Sequence, residues 1–377
     1  MEELAHVVGS RNQPEEIRSV LELVLGQDEA EVRQAGVIGL SERLRNSGRR
    51  LRVQINSLDS QAAHRFHALL GRALQIIRNK DAGADQIQRS LRLLENASSE
   101  DATGTVLALL DRFPPPAIQI AAIRTLSRLN GPGFEEAVLA RWRTVSPETR
   151  REILPVLLSR KERAATLLAA IESGRISPGE VEAVSRSALL RHAEPSIRRR
   201  AVALWGDDKS GTRNDVIQSY RSALKLRGDV KAGQNVFERL CSSCHRLSGI
   251  GNEVGPNLAL ADTRSPDELL THILDPNREA NPAYVQYNVE TADGETYSGL
   301  IVADQASGIT LKGVNFEKTI ARAQVRKMTS EGKSLMPVGL EQGLSSQGMA
   351  DLLAFLIDSH YDFGTSGHSD SHDVPLR

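Results

Sequence analysis

Cys241-Ser242-Ser243-Cys244-His245 is the stretch of the chain whose residue types and spacing speak most directly of chemistry. It is a C-x-x-C-H pattern, and it holds both cysteines of the 377-residue sequence. Two thiols three positions apart on a helical turn can each form a thioether with a vinyl group of a haem, and the next residue then presents its imidazole to the iron. The pattern therefore predicts one covalently attached haem c, with Cys241 and Cys244 as attachment points and His245 as an iron ligand. Other uses of paired cysteines fit less well. A structural zinc site needs four ligands, and no second ligand set accompanies this one. A thioredoxin-type pair ends a strand in a βαβ setting, whereas this pair closes a helical pattern. A disulfide across two intervening residues would close a small, strained loop.

Elements on either side must position these groups. Asp229 reads as the N-cap of a helix, with Val230, Gly233, Phe237, Leu240 and Cys241 at helical spacing. Gly233 is costly inside a helix, so close approach of another helix is the expected reason for it. Beyond the motif come Gly255-Pro256-Asn257-Leu258, then Ser334-Leu335-Met336-Pro337, then an amphipathic helix from Ser346 to Ser359 carrying Met349, Leu352, Leu353, Phe355, Leu356 and Ile357.

This set resembles a class I cytochrome c: a helix leading into C-x-x-C-H, a G-P-N-L segment, a methionine loop and a C-terminal helix. More narrowly it is similar to the haem-binding domain family described in Planctomycetes and Verrucomicrobia, in which a β-rich insert precedes an S-L-M-P segment. The likeness covers about Gly228 to Asp358. It implies His245 as proximal ligand and Met336 as distal ligand, with the Pro256 carbonyl accepting a hydrogen bond from the His245 ring and so fixing its tautomer. The separation of 91 positions from His245 to Met336 is long for a monohaem domain, and the insert accounts for it.

With both axial positions filled, the resemblance implies an electron carrier rather than a catalyst, the thioether favouring ferrous iron and raising the potential. The implied partner is a redox protein, either a dehydrogenase or another cytochrome. Two alternatives stand beside this: a haem enzyme or gas sensor with an open sixth position, and an interaction scaffold whose haem is structural. Attachment of c-type haem takes place outside the bacterial cytoplasmic membrane, so a periplasmic or otherwise exported protein is expected. The opening MEELAHVVGS shows no basic region followed by an apolar core. Either a leader is missing from the sequence or the chain is one piece of a larger exported protein; the resemblance supports the second, since related chains often carry a β-propeller dehydrogenase-like domain upstream.

Length suggests two or three domains. From Gln13 to about Ala223 one amphipathic helical pattern follows another, over about 14–26, 29–46, 59–78, 84–96, 102–113, 116–130, 147–159, 178–191 and 195–206, with a short one at 213–226. Starts at Pro116, Pro147 and Pro178 recur at an interval of 31 residues. A loose period of this kind suggests HEAT-like repeats, which commonly serve as surfaces for protein partners, with irregular helical packing as the alternative. His64 and His67 read as surface residues, and Arg198-Arg199-Arg200, without interleaved aromatics, as a solvated helix face, so no nucleic-acid partner is expected. No run of eighteen apolar residues occurs, so no membrane span is expected. Met1–Arg227 holds 35 Lys+Arg against 28 Asp+Glu, and Gly228–Arg377 holds 12 against 20, giving nets of +7 and −8.

After a helix opened by Ser265-Pro266-Asp267-Glu268, the pattern turns to strands. Val285–Glu290, an Asp293-Gly294 turn and Thr296–Val302 read as a hairpin, with further short strands at 309–311, 319–320 and 325–328. The expected architecture is mainly α: a HEAT-like α-solenoid over 1–226, then an all-α class I cytochrome c domain over 227–363. That domain carries a small antiparallel β insert at about 284–330, and a disordered tail follows over 364–377.

Overall fold

The computed structural model describes residues 14–46, 51, 55, 58–97, 99–205, 213–260, 265–279 and 281–359. The expected tail at 364–377 lies outside these residues. Two compact units are present, one ending at Thr166 and taking in Asp304–Ser307, the other running from Leu167 to Ala303 and resuming at Gly308. Among the described residues no helix is long and apolar enough to cross a membrane.

The first unit is built of helices α1 (Pro14–Gly26), α2 (Ala30–Asn46), α3 (Ser60–Arg78), α4 (Ala84–Leu94), α5 (Ser99–Leu110), α6 (Pro116–Leu129), α7 (Phe134–Ala140) and α8 (Pro147–Leu158), with α9 (Lys161–Glu172) at its boundary. Proline at the first helical position starts α6 and α8, where the missing N–H costs nothing. Helices pack on neighbours and on the next but one: α1 on α2 and α3, α3 on α4 and α5, α4 on α6, α6 on α8. Buried apolar side chains such as Leu21, Phe66, Leu91, Val106, Ile123 and Trp142 drive that packing. Polar ties repeat at nearly the same sequence distance: Arg141 bonds Asp111 through two nitrogens at 2.7 and 2.8 Å, 30 residues away. Arg124 bonds Glu152, 28 residues away, at 2.7 Å. Arg163, 2 % exposed, donates to Glu135 at 3.1 Å and stacks 4.6 Å from the Phe134 ring centroid. Helices α7 and α9 are additions to the sequence expectation.

In the second unit the expected helix at 178–191 is a 3-10 turn, Pro178–Glu180, followed by α10 (Ala183–Leu190); Ser177 N donates to Glu180 Oε2 at 2.9 Å at the start of that turn. Helices α11 (Pro195–Trp205), α12 (Asn214–Tyr220), α13 (Val230–Leu240), α14 (Pro266–Leu274) and α15 (Ser346–Asp358) complete the helical set. Ser265 takes the N-cap position of α14 without a side-chain cap bond.

The expectation of an all-α class I domain with a small β insert is overturned. Strands β1 (Arg246–Leu247) and β2 (Ile250–Gly251) form an antiparallel ribbon. Strands β3 (Val285–Thr291), β4 (Thr296–Asp304), β5 (Gly308–Gly313), β6 (Phe316–Ala321) and β7 (Val325–Ser334) form a five-stranded sheet in the order β6-β5-β4-β3-β7. The C-terminal region is therefore mixed α and β. The sheet has buried residues of its own, Val285, Tyr287, Val289, Leu300, Ile309, Leu311, Ile320 and Met328, and an alternating in-and-out pattern along β3. Polar residues such as Lys312, Glu317 and Lys318 sit within its ladder, so the strands run longer than their apolar cores suggest.

The helical core of this unit joins Ile217, Ala223, Phe237, Leu270, Leu274, Met349, Leu352 and Phe355. Its centre is the crossing of α13 and α15, where a Cβ on Gly233 would lie 1.9 Å from the Asp351 carbonyl oxygen and 2.8 Å from Phe355 Cβ. The Phe237 and Phe355 rings meet one turn further on at 5.4 Å between centroids. Gly71 is the counter-example, for a Cβ there, inside α3, meets no atom within 4 Å. Replacement by alanine should therefore have opposite signs at the two sites. Gly233→Ala should lower stability by about 1–3 kcal/mol through overpacking, and Gly71→Ala should raise it by about 0.5–1 kcal/mol through helix propensity. Denaturant midpoints of the two variants measure both; equal midpoints would place the helix contact elsewhere.

Candidate functional site

Helix α13 is opened by Asp229, whose carboxylate accepts from Ala232 N at 2.8 Å, and its amide donates to Asp351 Oδ1 at 2.9 Å. The helix thus starts tied to α15, and it ends at Cys241, whose amide still donates to Phe237 O at 2.8 Å. Cys244 and His245 continue as a turn, both amides donating back to Cys241 O, at 3.1 and 2.9 Å. The two thiols and the imidazole therefore leave one compact coil of backbone.

The ribbon β1–β2 folds the chain back across this coil. Its tight turn places Ser248 and Gly249 at φ 49 and 79°. At Gly251, φ 91°, a Cβ would come 2.2 Å from the His245 carbonyl oxygen, so only glycine fits there. The returning strand bonds to the turn: Asn252 N donates to Ser242 O at 2.9 Å, and Val254 N and Gly255 N donate to Cys244 O at 3.0 and 2.7 Å.

That return delivers Gly255-Pro256 beneath the imidazole. His245 Nδ1 lies 2.9 Å from Pro256 O. A carbonyl can only accept, so Nδ1 carries the proton and Nε2 keeps its lone pair for a metal. A Cβ on Gly255 would sit 2.7 Å from His245 Cε1, which makes Gly255 the floor of the ring. Burial pushes the His245 imidazolium below its ordinary range, the Pro256 bond partly opposing it, so the ring is neutral at neutral pH. Burial, and then the neighbouring Cys244, push the Cys241 thiol up to about 11. A thiol so held is not the low-pKa thiolate of a disulfide-exchange centre. Both cysteines are free and partly buried. Two thiols on one turn, with a neutral imidazole presenting Nε2 from the adjacent residue, fit the donor set of a covalently held haem.

Met336 lies in a bend after β7, partly buried, its amide donating to Ser334 Oγ at 3.2 Å. Met328 is fully buried in β7 opposite Val289, and Met349 is fully buried in α15, so both are packing residues. His272 is exposed on α14, and His64 and His67 are exposed on α3. Sequence reasoning missed the cradle at Gly255, and the positions Arg213, Tyr220 and Glu341 that hold the loop beyond Met336. The Gly-Pro step after the motif was a usable signal for the first; nothing local marks the others.

Residues 228–295 match the family model described as cytochrome C oxidase, cbb3-type, subunit III. A stretch of 36 residues is 47% identical to the cytochrome c of Arabidopsis thaliana, covering 9% of this chain and 32% of that protein. The segment is a cytochrome c-type domain, and such a domain implies covalently bound haem c with its iron, and with it haem binding and electron transfer to and from a redox partner. Cytochrome c domains are typically exported. The matched stretch includes the Cys241–His245 motif and Pro256 and ends at Glu295, ahead of Met336.

Gly255→Ala should drive the added methyl into the imidazole, lengthen or break the bond to Pro256 and turn the ring. The expected result is a haem-loaded protein in lower yield with an altered visible spectrum and a shifted potential. An unchanged spectrum and potential would show that the ring does not rest on this glycine.

Proposed function

We propose that residues 227–363 form a monohaem c-type electron-transfer domain, with thioether bonds at Cys241 and Cys244, His245 as proximal ligand and Met336 as distal ligand. The observation that carries this reading is the His245 imidazole, pinned through Nδ1 to Pro256 O at 2.9 Å directly beside the two thiols, with Nε2 free to ligate. Haem bound here supplies reversible exchange of one electron at its iron. The protein's part is to hold that group still. Cys241 and Cys244 would hold the haem covalently at the end of α13 through thioether bonds. His245 ligates through Nε2, and the Pro256 carbonyl keeps it in one tautomer and orientation. Met336 would supply a thioether as the second protein ligand, a ligand type that raises the potential and suits electrons taken from a dehydrogenase. With His245 and Met336 both holding the iron, the bound group would exchange electrons without taking a substrate at the metal.

The preceding helices, through 226, form a HEAT-like repeat region that engages a protein partner. Two features support this: neighbour and next-neighbour helix packing, and polar ties recurring at 28 to 33 residues. The redox partner is a dehydrogenase or a second cytochrome, and the setting is the periplasm or another exported location.

Expressed with haem-attachment machinery, the chain should retain one haem through denaturing electrophoresis, and Cys241→Ala with Cys244→Ala should lose it. Haem extracted by acid acetone would refute covalent attachment. For the sixth ligand, the ferric protein should show the weak charge-transfer absorption of thioether ligation. That band should vanish in Met336→Ala and survive Met328→Leu and Met349→Leu. A reduced parent protein that binds carbon monoxide readily would mean an open iron, and a sensor or haem enzyme in place of a carrier.

A further inference from the structure

The loop that follows Met336 is fastened by side chains N-terminal to the stretch that matches known cytochromes. Tyr220, at the end of α12, places its hydroxyl 2.6 Å from Leu344 O and 3.0 Å from Glu341 O. Arg213, just before α12, forms an ion pair with Glu341 in which both terminal nitrogens engage the carboxylate, Nη1 at 3.3 Å. The same Nη1 donates to Leu274 O, in the last turn of α14, at 2.8 Å. The side chains of this pair are 17 and 8 % exposed, so water does not dissipate their attraction as it does at a surface. Burial, and then the Glu341 charge, push the Tyr220 phenol up, which keeps it a donor through the physiological range.

On the upstream side the loop is equally tied, with Ser334 N donating to Asn277 Oδ1 at 2.8 Å and Leu335 N to Tyr284 O at 2.9 Å. Those bonds belong to the end of the sheet. The downstream bonds are different in kind, because the segment from Pro337 to Leu344 holds little buried apolar surface of its own: Pro337 and Val338 are exposed and Leu344 alone joins the core. A loop with few apolar contacts is held by its polar ones. Helix α12, by contrast, is anchored by buried Ile217, with buried Ala223 in the next turn of the chain, and does not need the polar contacts to stay in place.

We propose that Arg213 and Tyr220, acting through Glu341 and the carbonyl of Leu344, are positioning residues for the Met336 thioether. They hold the loop closed and so set the fraction of molecules in which the sulfur occupies the sixth iron position. This rests on Met336 being the distal ligand. The physical content is a two-state equilibrium between a closed, sulfur-ligated loop and an open one, and bonds present only in the closed state bias it. A helix outside the cytochrome c-type match thereby controls ligand exchange at the iron.

Tyr220→Phe and Glu341→Gln, in the haem-loaded full chain, test this. Tyr220→Phe removes a single oxygen and leaves the ring packing in place, so it decides the matter even where an Arg213 variant fails to fold. Both variants should keep parental far-ultraviolet dichroism and bind carbon monoxide, once reduced, about tenfold more tightly than the parent, the factor lost with one hydrogen bond of ordinary strength. On heating, the thioether charge-transfer band should disappear well before the helices melt, which a purely structural role would not produce. Parental carbon monoxide affinity and a band that melts together with the helices, in both variants, would overturn the positioning role while leaving Met336 as ligand. A band that survives Met336→Ala would instead remove the ligand assignment, and the positioning role with it.

Discussion

The contact between α13 and α15 at Gly233 is the constraint on which the second unit depends. A helix backbone approaches another this closely only when no side chain stands between them, and here even a methyl group would penetrate the Asp351 carbonyl. Gly228 repeats the condition at the start of the helix, where a Cβ would lie 2.3 Å from Ala350 O. Between these points Asp351 turns its carboxylate to the Asp229 amide, and beyond them the Phe237 and Phe355 rings pack. Because the crossing sets the axis of α13, it also sets where Cys241 emerges. The reactive turn is one helix-end away from the tightest contact in the unit.

The electrostatics of that turn come from its burial. An imidazole removed from water loses its affinity for a proton, and a thiol removed from water keeps its proton more firmly. Both shifts favour neutral groups. The one strong polar contact available, the Pro256 carbonyl, selects which imidazole nitrogen is protonated. Backbone geometry is therefore what prepares the side chain for a metal: a ribbon with glycines at positive φ brings back a carbonyl, and the flat Gly255 lets the ring lie against it.

Much of this site was legible in the sequence because its signals are local. C-x-x-C-H spans five residues, the misfit of glycine in an amphipathic helix can be seen at Gly233, and the Asp293-Gly294 turn announces a hairpin. The apolar stripe of α15 marked it as a helix with one buried face, without naming α13 as its partner. What could not be read is either long-range or polar. Arg213 and Glu341 are separated by 128 residues, and neither stands in a pattern that marks it. The sheet was underestimated because β6 is exposed at five of its six positions, so that only Thr319–Ile320 reads as strand. Helices α7 and α9 were missed, one for its seven residues and the other for its alanine-rich run, which blurs the contrast between faces. The start at Pro178 predicted an α-helix and opened only a 3-10 turn, since a local start signal does not decide the length or type of the helix it opens.

The pairing of β3 with β7 matches Val285 to Ser334, so the chain returns after 49 residues to the place where it left. An excursion that closes on itself transmits none of its length to the segments it joins. The Val314–Asn315 turn, exposed at the far end of the β5–β6 hairpin with Asn315 at φ 66°, is thus a permissive port. Added sequence there pays only the slow, logarithmic entropy of a longer loop, and an epitope or reporter can be carried without altering the reach from α14 to the methionine bend. Diversification of this architecture has an address, and it is remote from the redox chemistry.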